Sequence, residues 1–126
     1  MHRPFLITAS LLAALSIALG AFGAHALKKS IGVTELNIFE TGVRYQMYHA
    51  MALLVVAILY KDFKQQLLIW AGRAFIAGTL LFSGSLYSLS LSPDHKWIGV
   101  ITPFGGLLFI AGWLLMILAF CKRIKV

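Results

Sequence analysis

Four long apolar stretches alternate with short polar ones along this chain. The apolar stretches cover residues 4–24, 41–60, 67–91 and 98–120. Each is close to the roughly 20 residues that an α-helix needs to span a bilayer. Only a helix satisfies its own backbone hydrogen bonds within one such segment. The pattern therefore predicts an all-α membrane protein with four transmembrane helices, built as a single domain over residues 1–126.

The connections between these stretches set the order of the helices. Residues 61–66 and 92–97 form short polar links, which make successive helices antiparallel neighbours in a four-helix bundle. Residues 25–40 form a longer link, in which Thr34 is placed to cap a helix that begins at Glu35. The second helix is therefore expected to begin early, with an amphipathic turn or two at the interface. Pro103 lies about two turns inside the fourth stretch, where it is expected to bend or break the helix.

Composition supports the membrane assignment. Of 126 residues, 60% are hydrophobic and 12% are charged, whereas a soluble domain has roughly half its residues apolar and about a quarter charged. The net charge of +7 comes from basic residues at the ends of the apolar stretches, and no basic-aromatic face for nucleic acid occurs. The expected partner of this surface is the lipid bilayer. Cys121 is the only cysteine, which excludes an intramolecular disulfide and a cysteine-based metal site.

Basic residues also predict an orientation. The first stretch is longer than the roughly 7–15 apolar residues of a cleavable signal peptide, so a retained helix is favoured and cleavage stays the alternative. An even number of spans puts both termini on one side of the membrane. That side holds Arg3, Lys61, Lys64, Lys122, Arg123 and Lys125, and the other holds Lys28, Lys29 and Lys96. The positive-inside rule then places both termini in the cytoplasm, and Arg73 is expected to snorkel towards the same face.

Small residues are the expected contacts between helices. Apolar burial does not drive helix association in lipid, so close backbone approach must do so, and small side chains permit it. The candidate helix-packing residues are Gly20, Gly23, Ala24, Gly78, Gly84, Gly105, Gly106 and Gly112.

Polar residues inside the spans form the candidate site. Glu40, Arg44 and Tyr48 share one side of the second helix, which is expected to face protein or water because buried charge is costly in lipid. Glu40 is also correctly spaced for an ion pair with Arg44. In an antiparallel bundle, the polar stretches of all four helices fall at one depth. The residues expected to converge there are His25, Glu40, Arg44, Tyr45, Gln46, His49, Ser83, Ser85, Tyr87, Ser88 and Thr102.

Three interpretations of this polar cluster stay open. It is a hydrogen-bonded network that locks the bundle, a small polar pocket or proton-handling site, or a metal site. Metal-ligand spacing such as His-x-x-x-His is absent from the sequence, and so is a nucleophile elbow. We therefore expect no metal, no cofactor and no catalytic residues.

Four motifs in order resemble one known family. They are GAFGAH at 20–25, TGVRYQMYH at 41–49, FSGSLY at 82–87 and TPFGG at 102–106. Together they resemble domain-of-unknown-function family 423, small bacterial inner-membrane proteins related to eukaryotic transmembrane protein 256. The resemblance covers essentially the whole chain and implies a four-span membrane protein, but it supplies no activity and no catalytic residues.

Three functions follow as expectations. The first is a non-enzymatic accessory or structural component of the inner membrane, acting alone, as a homo-oligomer or beside a larger membrane protein. The second is a small transporter or a proton- or solute-binding protein that uses the polar cluster. The third is a protein that binds a lipid or a quinone between its helices.

Overall fold

A computed structural model describes residues 1–63 and 65–123 of the chain. These residues contain the helices α1 (Arg3–His25), α2 (Val33–Leu59), α3 (Gln66–Leu91) and α4 (Thr102–Arg123). Two short 3₁₀ segments, Leu27–Lys29 and Lys96–Val100, lie before α2 and α4. All four long helices of the described part are long and apolar enough to cross a membrane. The predicted fold class is confirmed. Of the basic residues counted for orientation, Lys64 and Lys125 lie outside the described residues.

His2 caps the start of α1. The Phe5 backbone N–H donates to Nδ1 of His2 at 3.3 Å, and the His2 ring lies 4.0 Å from the Phe5 ring, centroid to centroid. The backbone N–H of His2 donates to the Ala57 carbonyl at 2.9 Å, which joins this end to the last turns of α2. The first turn of α1 is therefore anchored both locally and to a neighbouring helix.

The second helix begins well before residue 41. It starts at Val33, and Gly32 in an extended conformation is its N-cap, so the predicted cap at Thr34 is wrong. These early turns are stabilised by packing against α1. Phe39 is buried in this extension, and its ring lies within 3.1 Å of the position that a Cβ would take on Gly23 in α1.

The fourth helix begins later than predicted, at Thr102. Residues 98–100, which the prediction included, belong to the 3₁₀ segment. Pro103 is consequently the second residue of α4, where its missing N–H has no helical partner to lose and its fixed φ suits the first turn. The expected break does not occur, since the helix continues to Arg123.

The helices pack in chain order. α1 packs on α2, α2 on α3, and α3 on α4. The spans of α2 and α3 bury the larger share of their residues and those of α1 and α4 the smaller share. The two middle helices therefore form the centre, and α1 and α4 flank it with much of their surface facing lipid.

Close approach of α3 and α4 depends on Gly105. A Cβ built on Gly105 would meet the main-chain nitrogen of Phe82, so no side chain fits between the two backbones. Gly78 and Gly112 face the rings of Phe109 and Phe75 in the same interface. The other predicted packing positions are looser. Gly20 and Gly106 make ordinary or distant contacts, Gly84 has nothing within 4 Å, and Ala24 is exposed.

We expect Gly105→Ala to lower the free energy of unfolding by about 1–3 kcal/mol, because overpacking against a backbone atom forces the helices apart. Gly84→Ala is the matched control and should be neutral or slightly stabilising, since its new methyl group enters open space. Thermal unfolding of both variants in one detergent, followed by circular dichroism, measures the difference. Equal melting temperatures would contradict the close approach.

Candidate functional site

The polar face of α2 differs from the prediction. Gln46 and His49 are buried, whereas Arg44 and Tyr48 are exposed on the other side of the helix. Arg44 donates to the Thr41 hydroxyl at 3.2 Å and forms no ion pair with Glu40. Of the two environments expected for this side, protein or water, the protein interior is not the one that Arg44 and Tyr48 occupy. The face that packs is chosen by how closely α3 can approach, and it approaches at Gly42.

Gln46 joins three helices through hydrogen bonds. Its Nε2 donates to the Leu12 carbonyl of α1 at 2.9 Å, and its Oε1 accepts from the Tyr87 hydroxyl of α3 at 2.7 Å. Both ends of the amide are thus satisfied inside the bundle. Loss of either partner would leave a buried polar group without a hydrogen bond, which would destabilise the bundle.

Two serines of α3 bond to the helices on either side. The Ser83 hydroxyl donates to the Gly42 carbonyl of α2 at 2.7 Å. The Ser85 hydroxyl lies 2.6 Å from the Thr102 hydroxyl at the start of α4. Gly42 has no side chain, so α3 can come close to its backbone: ring carbon Cε1 of Tyr87 lies 2.8 Å from the place of a Cβ. These bonds fix α3 between its two neighbours.

Ser16 of α1 is buried, and its hydroxyl has no hydrogen-bond partner in the described part of the chain. Serines inside helices commonly donate to the carbonyl four residues earlier. For Ser16 that carbonyl belongs to Leu12, which accepts from Gln46 instead. The link between α1 and α2 therefore occupies the usual partner of this hydroxyl.

His49 lies in a cage of aromatic rings between α2 and α4. Its Nδ1 is 2.8 Å from the Tyr45 carbonyl, and its Nε2 accepts from the Trp113 indole N–H at 3.2 Å. Because a carbonyl can only accept, Nδ1 carries the proton, and a neutral ring satisfies both bonds. The Phe109 ring stacks on the imidazole at 3.5 Å between centroids and 8° between planes.

A groove of about 610 Å³ opens beside this cage. Its lining side chains come from α2, α3 and α4: Tyr45, His49, Phe82, Pro103, Gly106, Leu107, Phe109, Ile110 and Trp113. Several of them are exposed on the outer surface of the bundle, including Tyr45, Leu107 and Ile110. The groove therefore faces the lipid, and it runs from the middle of the bilayer towards the start of α4.

The remaining predicted site residues do not join these contacts. His25 is exposed at the end of α1, and Arg44 is exposed near the start of the apolar part of α2. Ser88 bonds only to the Gly84 carbonyl of its own helix. Glu40 is half-buried. The proposed single cluster is thus divided into the Gln46 network, the Ser85–Thr102 pair and the His49 cage, with His25, Glu40, Arg44 and Ser88 outside them.

Sequence reasoning missed Trp113 and Phe109, which complete the His49 cage. Tryptophan is enriched where a membrane helix meets water, yet Trp113 lies near the middle of α4. A mid-span tryptophan needs a partner for its N–H, and the mid-span His49 is the matching acceptor. Phe109 lies one helical turn before Trp113 and so shares its face. The mid-span position of Trp113 and the position of Phe109 one turn before it are the sequence features that could have predicted the cage.

Comparison with known proteins gives one consistent family. The family model described as "Protein of unknown function (DUF423)" matches residues 19–106. A UPF0382 membrane protein of Staphylococcus aureus is 42% identical over 118 residues, which are 94% of this chain and 95% of the relative. The UPF0382 inner membrane protein YgdD of Escherichia coli K12 is 42% identical over 115 residues, which are 91% of this chain and 87% of the relative. No solved structure matches the chain.

The bond between Gln46 and Tyr87 is expected to contribute to stability. A double-mutant cycle with Gln46→Leu and Tyr87→Phe should give a coupling free energy of about 0.6 kcal/mol and at most about 1.7 kcal/mol, the mean and maximum found in such cycles for hydrogen bonds between membrane helices. Reversible unfolding in mixed micelles supplies the four free energies of unfolding. Strictly additive losses would show that the two side chains act independently.

Proposed function

We propose a binding role for this chain, which belongs to the DUF423 family of membrane proteins. It is a non-enzymatic accessory component of the inner membrane that holds an uncharged, ring-bearing molecule dissolved in the bilayer. The Escherichia coli relative is named an inner membrane protein, which supports the location. The lipid-facing groove beside His49 is the observation that carries the proposal.

The groove has the size and access that such a ligand requires. Its volume of about 610 Å³ falls within the range of roughly 300–1,000 Å³ that is common for small-molecule sites. It opens sideways between α2 and α4, so a molecule can enter from the lipid without crossing water. A head group at His49 would leave an attached hydrophobic tail free to lie along the outside of the bundle.

The lining side chains favour a flat ring with hydrogen-bond acceptors. Lysine, arginine, aspartate and glutamate are absent from the lining, which favours an uncharged ligand. Aromatic walls are well suited to stacking against a ring. The ring centroids of Tyr45 and Phe82, for example, lie 4.7 Å apart. One donor is available: the Tyr45 hydroxyl, which makes no hydrogen bond with the described residues. The Trp113 N–H already donates to His49. A quinone head group combines the ring and the acceptors.

The alternative of transport has less support from the geometry. A proton- or solute-conducting site needs polar groups that are free to exchange partners along a path. Both nitrogens of His49 already form hydrogen bonds. The side chains of Gln46, Tyr87 and Ser83 form hydrogen bonds between helices. These contacts favour a rigid interior, with binding at the surface of the bundle.

Tryptophan fluorescence tests quinone binding, because quinones quench indole emission on contact. We expect decylubiquinone to quench Trp113 saturably in a detergent-purified variant that carries Trp70→Phe and Trp97→Phe. Tyr45→Phe should weaken the apparent affinity about three- to tenfold, the effect of one lost hydrogen bond. Gly106→Leu, which fills the groove, should abolish the saturable component.

A matched variant retains only Trp97, which is exposed in the 3₁₀ segment before α4 and outside this groove. Its quenching should rise linearly with the quinone that partitions into the micelle. Linear quenching of Trp113 as well, unchanged by Gly106→Leu, would refute the site. Proton flux in proteoliposomes that is lost in His49→Ala would instead support transport.

We also propose that both termini face the cytoplasm, on the strength of the excess of basic residues at that end. A fluorescent protein fused after Val126 should then be fluorescent, and alkaline phosphatase fused at the same place should be inactive. The same fusions placed after Lys29 of a truncated chain should give the opposite pair of results. Active phosphatase at Val126 would reverse the orientation.

A further inference from the structure

We propose a second ligand site, separate from the quinone groove: a cleft between α3 and α4 that binds an anionic phospholipid. Arg73 contacts the phosphate, Trp70 packs beside the head group, and one acyl chain lies along the cleft. The observation that leads to it is an unpaired cation on the outer surface of a membrane helix.

Arg73 lacks a counter-charge among the residues that the structure describes. Its side chain is exposed, and it forms no hydrogen bond or ion pair with the described residues. It lies seven residues after Gln66, which places its Cα about 10 Å along α3 at 1.5 Å per residue. An arginine at such a depth is costly in lipid unless it meets an anion or reaches the head groups. A phosphate at the membrane face satisfies both conditions.

Trp70 prepares the same place for a lipid head group. The guanidinium carbon of Arg73 lies 5.0 Å from the centroid of the Trp70 ring, within the range of a cation–π contact. This contact holds the guanidinium on the side of α3 that faces the cleft. Trp70 is itself half exposed, and tryptophan at this level of a helix favours the head-group region.

The cleft continues from Arg73 as an apolar channel. It has a volume of about 460 Å³ and is lined by Trp70, Arg73, Ala74, Ala77, Leu108, Ala111 and Leu115. The three alanines keep it open, because longer side chains at those positions would fill it. A cation at the membrane-face end of an apolar channel matches a phosphodiester with its acyl chain.

The charge of this end of the bundle favours an anionic lipid over a zwitterionic one. Exposed Arg3, Lys61 and Lys122 lie at the same end as Arg73. Basic residues near a membrane surface attract anionic lipids, with an effect of about fivefold in binding per residue. Arginine adds a planar fork of donors that matches phosphate oxygens. Arg73 differs from the other three because it borders a cleft.

Quenching by brominated lipids tests this site directly. A variant with Trp97→Phe and Trp113→Phe leaves Trp70 as the only tryptophan, and it is reconstituted into dioleoyl-phosphatidylcholine vesicles. Dibrominated phosphatidylglycerol or dibrominated phosphatidylcholine is then added in increasing proportion. We expect Trp70 to prefer phosphatidylglycerol about fivefold. Arg73→Gln should reduce this preference to nearly one.

Lys61→Gln is the matched control, because it removes the same charge from the same end of the bundle but outside the cleft. It should leave most of the preference intact. Ala77→Leu keeps Arg73 but fills the cleft, and it should also lower the preference, which tests the site even if Arg73→Gln does not fold. No preference in the parent, equal losses in Arg73→Gln and Lys61→Gln, or no effect of Ala77→Leu would each overturn the proposal.

The two binding proposals can fail separately. The quinone experiment monitors Trp113, and the lipid experiment monitors Trp70. Gly106→Leu should leave the phospholipid preference unchanged, and Ala77→Leu should leave quinone binding unchanged.

Discussion

Helix contact inside lipid is the constraint on which this structure depends. Lipid tails solvate apolar side chains as well as another helix does, so the bundle must be held by close packing and by hydrogen bonds between helices. The contact between α2 and α3 combines both. Gly42 leaves its carbonyl accessible, Ser83 donates to that carbonyl at 2.7 Å, and Tyr87 packs over the same glycine.

The rest of the architecture follows from this central pair. Gln46 lies one turn after Gly42 and extends the contact to α1, while Ser85 extends it to Thr102 of α4. α4 packs closely on α3 at Gly105. One side of α4 then lies beside α2, where Phe109 and Trp113 contact His49. Both proposed binding grooves are consequences of how α4 packs. One lies between α4 and α2, and the other lies on the opposite edge, between α4 and α3.

Much of the fold could be predicted from the sequence, because the length of an apolar segment is a direct measure of a membrane span. The early start of α2 was expected, and Phe39 supports it by packing on Gly23. The start of α4 was harder to predict, since the 3₁₀ segment delays it until Thr102. The candidate site was predicted only in part. Residue type placed Gln46, His49 and Ser83 inside the spans, but which face of α2 is buried depends on Gly42 and its neighbour Tyr87. That choice leaves Arg44 exposed and not packed against the protein.

The most direct test of the central claim is the free energy of unfolding of Ser83→Ala in bicelles, measured beside that of Ser88→Ala. Ser83 donates to another helix, whereas Ser88 donates only within its own. The account predicts a loss of about 1 kcal/mol for Ser83→Ala, typical of a hydrogen bond between membrane helices, and no loss for Ser88→Ala. Equal stability of the two variants would contradict it.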